Sequence, residues 1–193
     1  MTFGDILRLG VSSIPNPQQG LRAVFSLGLG RAEAWQALIL MVVVSTLLGE
    51  ATAALLPVSA SIAGPLLATP LLAFVVQLCL LVVAVFAIFW IGRAMGGTGA
   101  FEDAVLTVAW LQFILVMLQL AQIAALVVFP PVAAWLGILG IGLFFWLVTH
   151  FTAALHGFTQ PGKVFLMVVV SMLGIAFGLS IILSLIGVSA PGA

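Results

Sequence analysis

An ionisable side chain inside a stretch long enough to cross a membrane is a functional candidate by default, because an uncompensated charge in hydrocarbon is costly. This chain offers few. Glu50 is the only charged residue between Ala34 and Gly92, His150 lies well inside a later apolar run, and Gln77, Gln112, Gln119 and Gln122 add scattered amides. Such groups could line a proton or ligand path, or they could satisfy one another as neutral bridges between helices. Gln119 and Gln122 are three apart, share a helix face and fall at the same expected depth as Glu50. One of them is expected to hydrogen-bond a protonated Glu50. His150 is expected roughly 17 Å from Glu50 along the membrane normal, with Gln112 as its nearer partner. His156, six residues further, falls on another face near the membrane surface, so no shared metal site is expected.

A second constellation surrounds a glycine-rich turn. Arg93 precedes Gly96, Gly97 and Gly99, and Glu102 with Asp103 follow at the start of the next helix. The acids suit the positive end of that helix and are expected to face Arg93 across the turn. A glycine turn before a helix can hold phosphate, but two acids in the same place oppose an anion. A structural hairpin is the preferred expectation.

No H-E-x-x-H, G-x-S-x-G or phosphate loop ending in Lys-Ser or Lys-Thr occurs, and a single cysteine, Cys79, cannot form an intrachain disulfide or a cysteine metal pair. Cys79 is expected to be an inert buried thiol. No catalytic residue, metal or cofactor is expected, and the chain reads as a non-enzyme.

The elements that must position these residues follow from composition. Of 193 residues, 64% are hydrophobic and 5% charged, against roughly 25% charged in an ordinary soluble domain. Formal net charge is zero, so no large field favours nucleic acid. Apolar runs of this length require spanning helices of about 20 residues each. With breaks at Pro57, Gly64, Pro65 and Pro70, and at Pro130 and Pro131, five spans are expected at 34–56, 66–91, 104–129, 132–155 and 164–186. The fold class is therefore all-α: a polytopic bundle of about five transmembrane helices, over 34–187. A short amphipathic N-terminal region, 1–33, precedes it, and a tail, 188–193, follows. The first 30 residues lack the pattern of a signal peptide, so the first span is expected to act as its own insertion signal.

Two short helices are expected before the first span. Thr2 and Asp5 are spaced as a capping box, and Asn16-Pro17 offers an N-cap and first-turn proline. Leu21, Val24 and Phe25 form an apolar stripe with Arg22 off it, and Gly28 can close the end. Within the spans, Ser45, Gly49 and Ala53 make a small-residue ladder, and Gly174 with Gly178 a G-x-x-x-G. Both allow close approach, inside the chain or with another copy. Trp35, Trp90, Trp110, Phe129 and Trp135 near span ends fit interfacial anchoring, Trp110 lying deepest. All five basic residues, Arg8, Arg22, Arg31, Arg93 and Lys163, fall on one side. The N-terminus is expected in the cytoplasm and the C-terminus outside.

Three segments carry a family resemblance: NPQQGLRAVF before the first span, GRAMGGTGAFEDAVLTVAW after the second, and GLFFWLVTHFTAALHGFTQPGKVFLMVVVS around the end of the fourth. Together they resemble the Yip family, the "Yip-one domain" five-pass membrane proteins. The resemblance implies a five-helix bundle with a cytoplasmic N-terminus. Eukaryotic members are associated with Rab-type GTPases and vesicle traffic, through a longer N-terminal region bearing an acidic Tyr-Gly-Pro motif. This chain has no tyrosine, so GTPase binding is not carried over. The short form is similar to the bacterial branch, which points to a bacterial inner membrane. The expected role is that of a scaffold, adaptor or membrane-organising factor whose partners are lipids, other membrane proteins or its own copies. The alternative is a small transporter, channel or lipid-moving protein using Glu50, His150 and the glutamines.

Overall fold

The computed structural model describes residues 2–55 and 69–185, and within them every regular element is a helix. Two short helices, α1 (Phe3–Ser12) and α2 (Pro17–Phe25), precede five long ones: α3 (Arg31–Leu55), α4 (Pro70–Ala94), α5 (Phe101–Val128), α6 (Pro130–His156) and α7 (Pro161–Leu185). Each of α3 to α7 is long and apolar enough to cross a membrane. Pro57, Gly64 and Pro65, and the tail 188–193, lie outside the described residues.

Prolines open three of the long helices. Pro70, Pro130 and Pro161 each stand in a first turn, where the missing N–H has no intrahelical acceptor to lose. The Pro130–Pro131 pair therefore begins α6 and does not form a loop. The whole connection from α5 is Phe129, in a non-helical conformation (φ −153°, ψ 87°). At the basic end the helices run beyond the expected apolar spans, taking in Arg31 and Glu33, Glu102 and Asp103, and Lys163. Charged first turns leave the hydrocarbon but keep their helical hydrogen bonds.

α5 is the central column, flanked closely by α3 and α6. Val105, Val108 and Ile114 of α5 meet Leu38 of α3 and Leu147 and Phe151 of α6 in one buried cluster. That cluster sits in the half of the bundle nearer the basic loops. In the other half, Val128, Ile138 and Leu139 are largely exposed, as apolar side chains facing lipid are.

The N-terminal helices pack on this core. The capping box forms: the Thr2 N–H donates to Asp5 Oδ2 at 2.8 Å, and the Asp5 N–H donates to Thr2 Oγ1 at 3.3 Å. The Thr2 N–H and the Thr2 hydroxyl both donate to Asp5 Oδ2, and so hold its carboxyl below its ordinary pKa. Pro17 starts α2, although the Asn16 side chain makes no cap bond. Leu21 and Val24 are buried while Arg22 is exposed. The α2 helix ends at Phe25, and Gly28 turns the chain beyond it at φ +63°. Two indoles fix the connection between α1 and α2. Trp110 Nε1–H donates to Ser13 Oγ at 3.3 Å, and Trp146 Nε1–H donates to the Ile14 carbonyl at 3.0 Å. Trp110 is nine residues into α5, about 14 Å along the helix, so the hairpin reaches well along the bundle. A Cβ at Gly20 would overlap the Ser13 side chain, and one at Gly10 would press on Met117 and Phe113. Trp110 is accordingly a buried core residue, not an interfacial anchor, because α1 and α2 cover it. Trp90, Trp135 and Phe129 are exposed, and Trp35 packs near Phe101, with ring centroids 6.4 Å apart.

Candidate functional site

Two groups of polar contacts tie the long helices to one another. The first joins α3, α4 and α5. Gln77 Nε2 donates to Ser45 Oγ at 2.6 Å, and its Oε1 lies 3.1 Å from the Thr46 hydroxyl. Ser45 and Thr46 also lie within hydrogen-bond distance of the Val42 carbonyl, at 3.1 and 2.8 Å. From α5, Gln119 Nε2 donates to the Ser45 carbonyl at 3.4 Å. Ser45 thus ties its helix to both neighbours, which is how amides and hydroxyls are satisfied where water is scarce.

The second is at the basic end. The α4–α5 turn folds onto the last residues of α6, with Gly96 at φ +89° giving the reversal. His156 Nε2 lies 3.0 Å from the Ile88 carbonyl oxygen, and the Gly99 N–H points to Nδ1 at 3.3 Å. A carbonyl only accepts and an amide N–H only donates, so these partners assign a neutral ring with its proton on Nε2. The residue is 3% exposed. It lies so near Gly92 and Gly97 that a Cβ at either would overlap it. Gly157, at φ +73°, ends α6 immediately afterwards, and the Phe158 N–H reaches back to the Ala153 carbonyl at 2.9 Å, a left-handed glycine cap.

Several expectations are corrected. Glu50 does not meet Gln119 or Gln122: its side chain is exposed on α3, because α3 turns Leu38, Val42 and Ser45 inward, and Gln119 is spent on Ser45. His150 does not pair with Gln112. Its Nδ1 lies 2.8 Å from the Trp146 carbonyl, one turn earlier on the same helix, and its ring packs on Trp146 at 3.9 Å. Gln112 is buried on α5. Arg93 lies over the Phe89 ring, 5.8 Å from its centroid, rather than against Glu102 and Asp103, because the turn leans on α6. Cys79 is exposed on α4, a helix with few buried residues. Of the small-residue ladder only Ser45 is buried. Gly49 has the Gln119 amide 4.0 Å from its Cβ position, and Ala53 is exposed. Gly174 and Gly178 face open space among the described residues, so they bring no described helix close. Gln122 borders a notch of about 540 Å³ with Thr52 and Gln119.

The sequence placed His156 near the membrane surface without giving it a partner, and Ser13, Thr149 and Thr152 were not singled out. The glycines at 92, 96, 97 and 99 were the available signal for His156: so many in one turn leave room for a large ring. Thr149 and Thr152 are buried with hydroxyls that lack a hydrogen-bond partner among the described residues. No cluster of three or more His, Cys, Asp or Glu residues occurs among the described residues.

No curated protein and no solved structure matches the chain. The family model for the Yip1 domain matches residues 11–182, a stretch that begins at the end of α1 and ends in α7, and so takes in the indole-held connection to α2, the Ser45 junction and the His156 contacts. On that match the chain belongs to the Yip1-domain family.

Proposed function

We propose that this protein is a non-enzymatic scaffold, adaptor or membrane-organising factor that binds other membrane proteins, its own copies or lipid. Its place is a bacterial inner membrane, with the N-terminus cytoplasmic and the C-terminus outside. One observation carries the reading. The polar contacts of Gln77, Gln119 and His156 bridge one helix to another, while α4 and α7 present long apolar faces outward. Side chains committed to holding helices together serve a fixed surface better than a changing path. Photo-crosslinking from Leu80 and Leu173 in intact membranes tests it. Discrete protein adducts are expected; adducts to lipid alone from both positions, with no partner recovered in gentle detergent, overturn the protein-binding arm.

A second reading has its own support. The notch beside Gly49 is lined by Thr52, Gln119 and Gln122, polar groups that a small transporter, channel or lipid-moving protein could use with nearby Glu50. A flux assay in reconstituted vesicles separates the two. Transport that Glu50→Gln abolishes favours the path; absence of flux favours the scaffold.

A further inference from the structure

Between α4, α6 and α7 the bundle leaves a lateral groove of about 390 Å³, within the range of built ligand sites. α7 packs on α6 far more than on α4, so the groove opens sideways. Ala84 and Ala87 of α4 keep it wide, opposite Phe144 and Val148 of α6 and Met172 and Ile175 of α7. Its wall is hydrocarbon apart from two hydroxyls. That of Ser171 donates to the Met167 carbonyl at 2.6 Å, and that of Thr152, on a fully buried residue, has no partner among the described residues.

Towards the basic loops the groove adjoins a second hollow. Met167 is also a wall of this hollow, of about 370 Å³, lined by Thr159, Gln160 and Lys163. Lys163 is the only lysine in the chain. It is exposed, and no acidic residue lines either hollow. An apolar slot beside a hollow with polar groups and a cation matches the chemistry of a lipid with an anionic headgroup.

We propose that this groove binds a phospholipid with an anionic headgroup, an acyl chain lying along Ala84 and Ala87 and the phosphate at Lys163. Basic pockets between spans on one face of a membrane recognise acidic headgroups in this way. The proposal deepens the lipid arm of the function proposed above and rests on that reading of the helices as spans.

The test uses the full chain in gentle detergent, with native mass spectrometry after addition of phosphatidylglycerol or phosphatidylcholine carrying the same acyl chains. The wild type is expected to retain one phosphatidylglycerol per chain and to prefer it about fivefold, the factor that one basic residue near an anionic surface supplies. Lys163→Gln, an exposed substitution that leaves the fold intact, brings the preference near unity, and Lys163→Arg restores it. Ala84→Phe, which fills the slot, removes retention of both lipids. Equal retention of the two lipids by the wild type overturns the proposal, as does a preference unchanged in Lys163→Gln. Partner crosslinks are recorded in parallel. Crosslinks without lipid preference sink the groove alone, whereas lipid preference without crosslinks supports the groove and sinks only the protein-binding arm.

Discussion

Gly92 of α4 lies against the imidazole of His156 of α6 so closely that no side chain fits between them. One hydrogen atom at position 92 therefore sets the distance between two long helices, and the α4–α5 turn is folded over the same ring. Gly92→Ala is expected to force the ring out of place and to lower stability by about 1–3 kcal/mol, the usual cost of overpacking. His156→Ala removes the ring and leaves a cavity, for a loss of about 2–4 kcal/mol. Because both act on one contact, the double variant should fall well short of the sum. Thermal unfolding in detergent, followed by scanning fluorimetry, measures all three; additive losses would show that the two residues are not coupled.

The indole bonds give the N-terminal hairpin a separate test. Trp110→Phe keeps most of the packing but loses the donor to Ser13, at a cost of about 1 kcal/mol. Ser13→Ala leaves the buried indole N–H unsatisfied, at about 1–3 kcal/mol. In either variant limited proteolysis should cut near Ile14 and Gln18 sooner than in the wild type. Equal cutting rates in wild type and variants would refute this role for the bond.

Gln77 offers a measure of interhelical glue. Gln77→Leu should cost only about 0.6 kcal/mol and at most about 1.7 kcal/mol, the range measured for such bonds within membranes. Ser45→Val is expected to do more, since it removes the acceptor for Gln77 and adds a branched side chain at a buried position. Unfolding of the reconstituted protein in denaturing detergent resolves the order; a larger effect for Gln77→Leu contradicts it.

Glu50 is exposed on α3, so Glu50→Gln is expected to change stability by no more than about 0.5 kcal/mol. A loss above about 2 kcal/mol in the same unfolding assay would place the carboxyl in an internal contact that does not occur among the described residues.

Asp5 supplies the pH dependence. Its hydrogen bonds to Thr2 lower its folded pKa from the ordinary value of 3.8. A depressed acid contributes stability that is fully present above its unfolded pKa and is lost as pH falls through the lower folded one. The first turn of α1 should therefore be protected from amide exchange above pH 3.8 and lose protection below it. Asp5→Asn should abolish that dependence, and an unchanged profile in the variant would assign the transition to another group.

The sequence alone was sufficient for the number and order of the long helices, because apolar length and proline position are local properties. It was sufficient for the Thr2–Asp5 capping box, formed by residues three apart, and for the burial of Leu21 and Val24 on one stripe of α2. It also carried the glycine, aromatic and proline pattern by which the family is recognised. It left open which way each long helix faces. α3 to α7 are apolar all round, so periodicity does not mark an inner face when lipid is as apolar as the core. Only the packed bundle decided that Ser45 and Gln119 turn inward while Glu50 turns out, and that Trp110 lies under α1. Only the bundle set the His156 ring between Gly92 and Gly97, since that contact joins residues far apart in sequence through the fit of two helices rather than the preference of either.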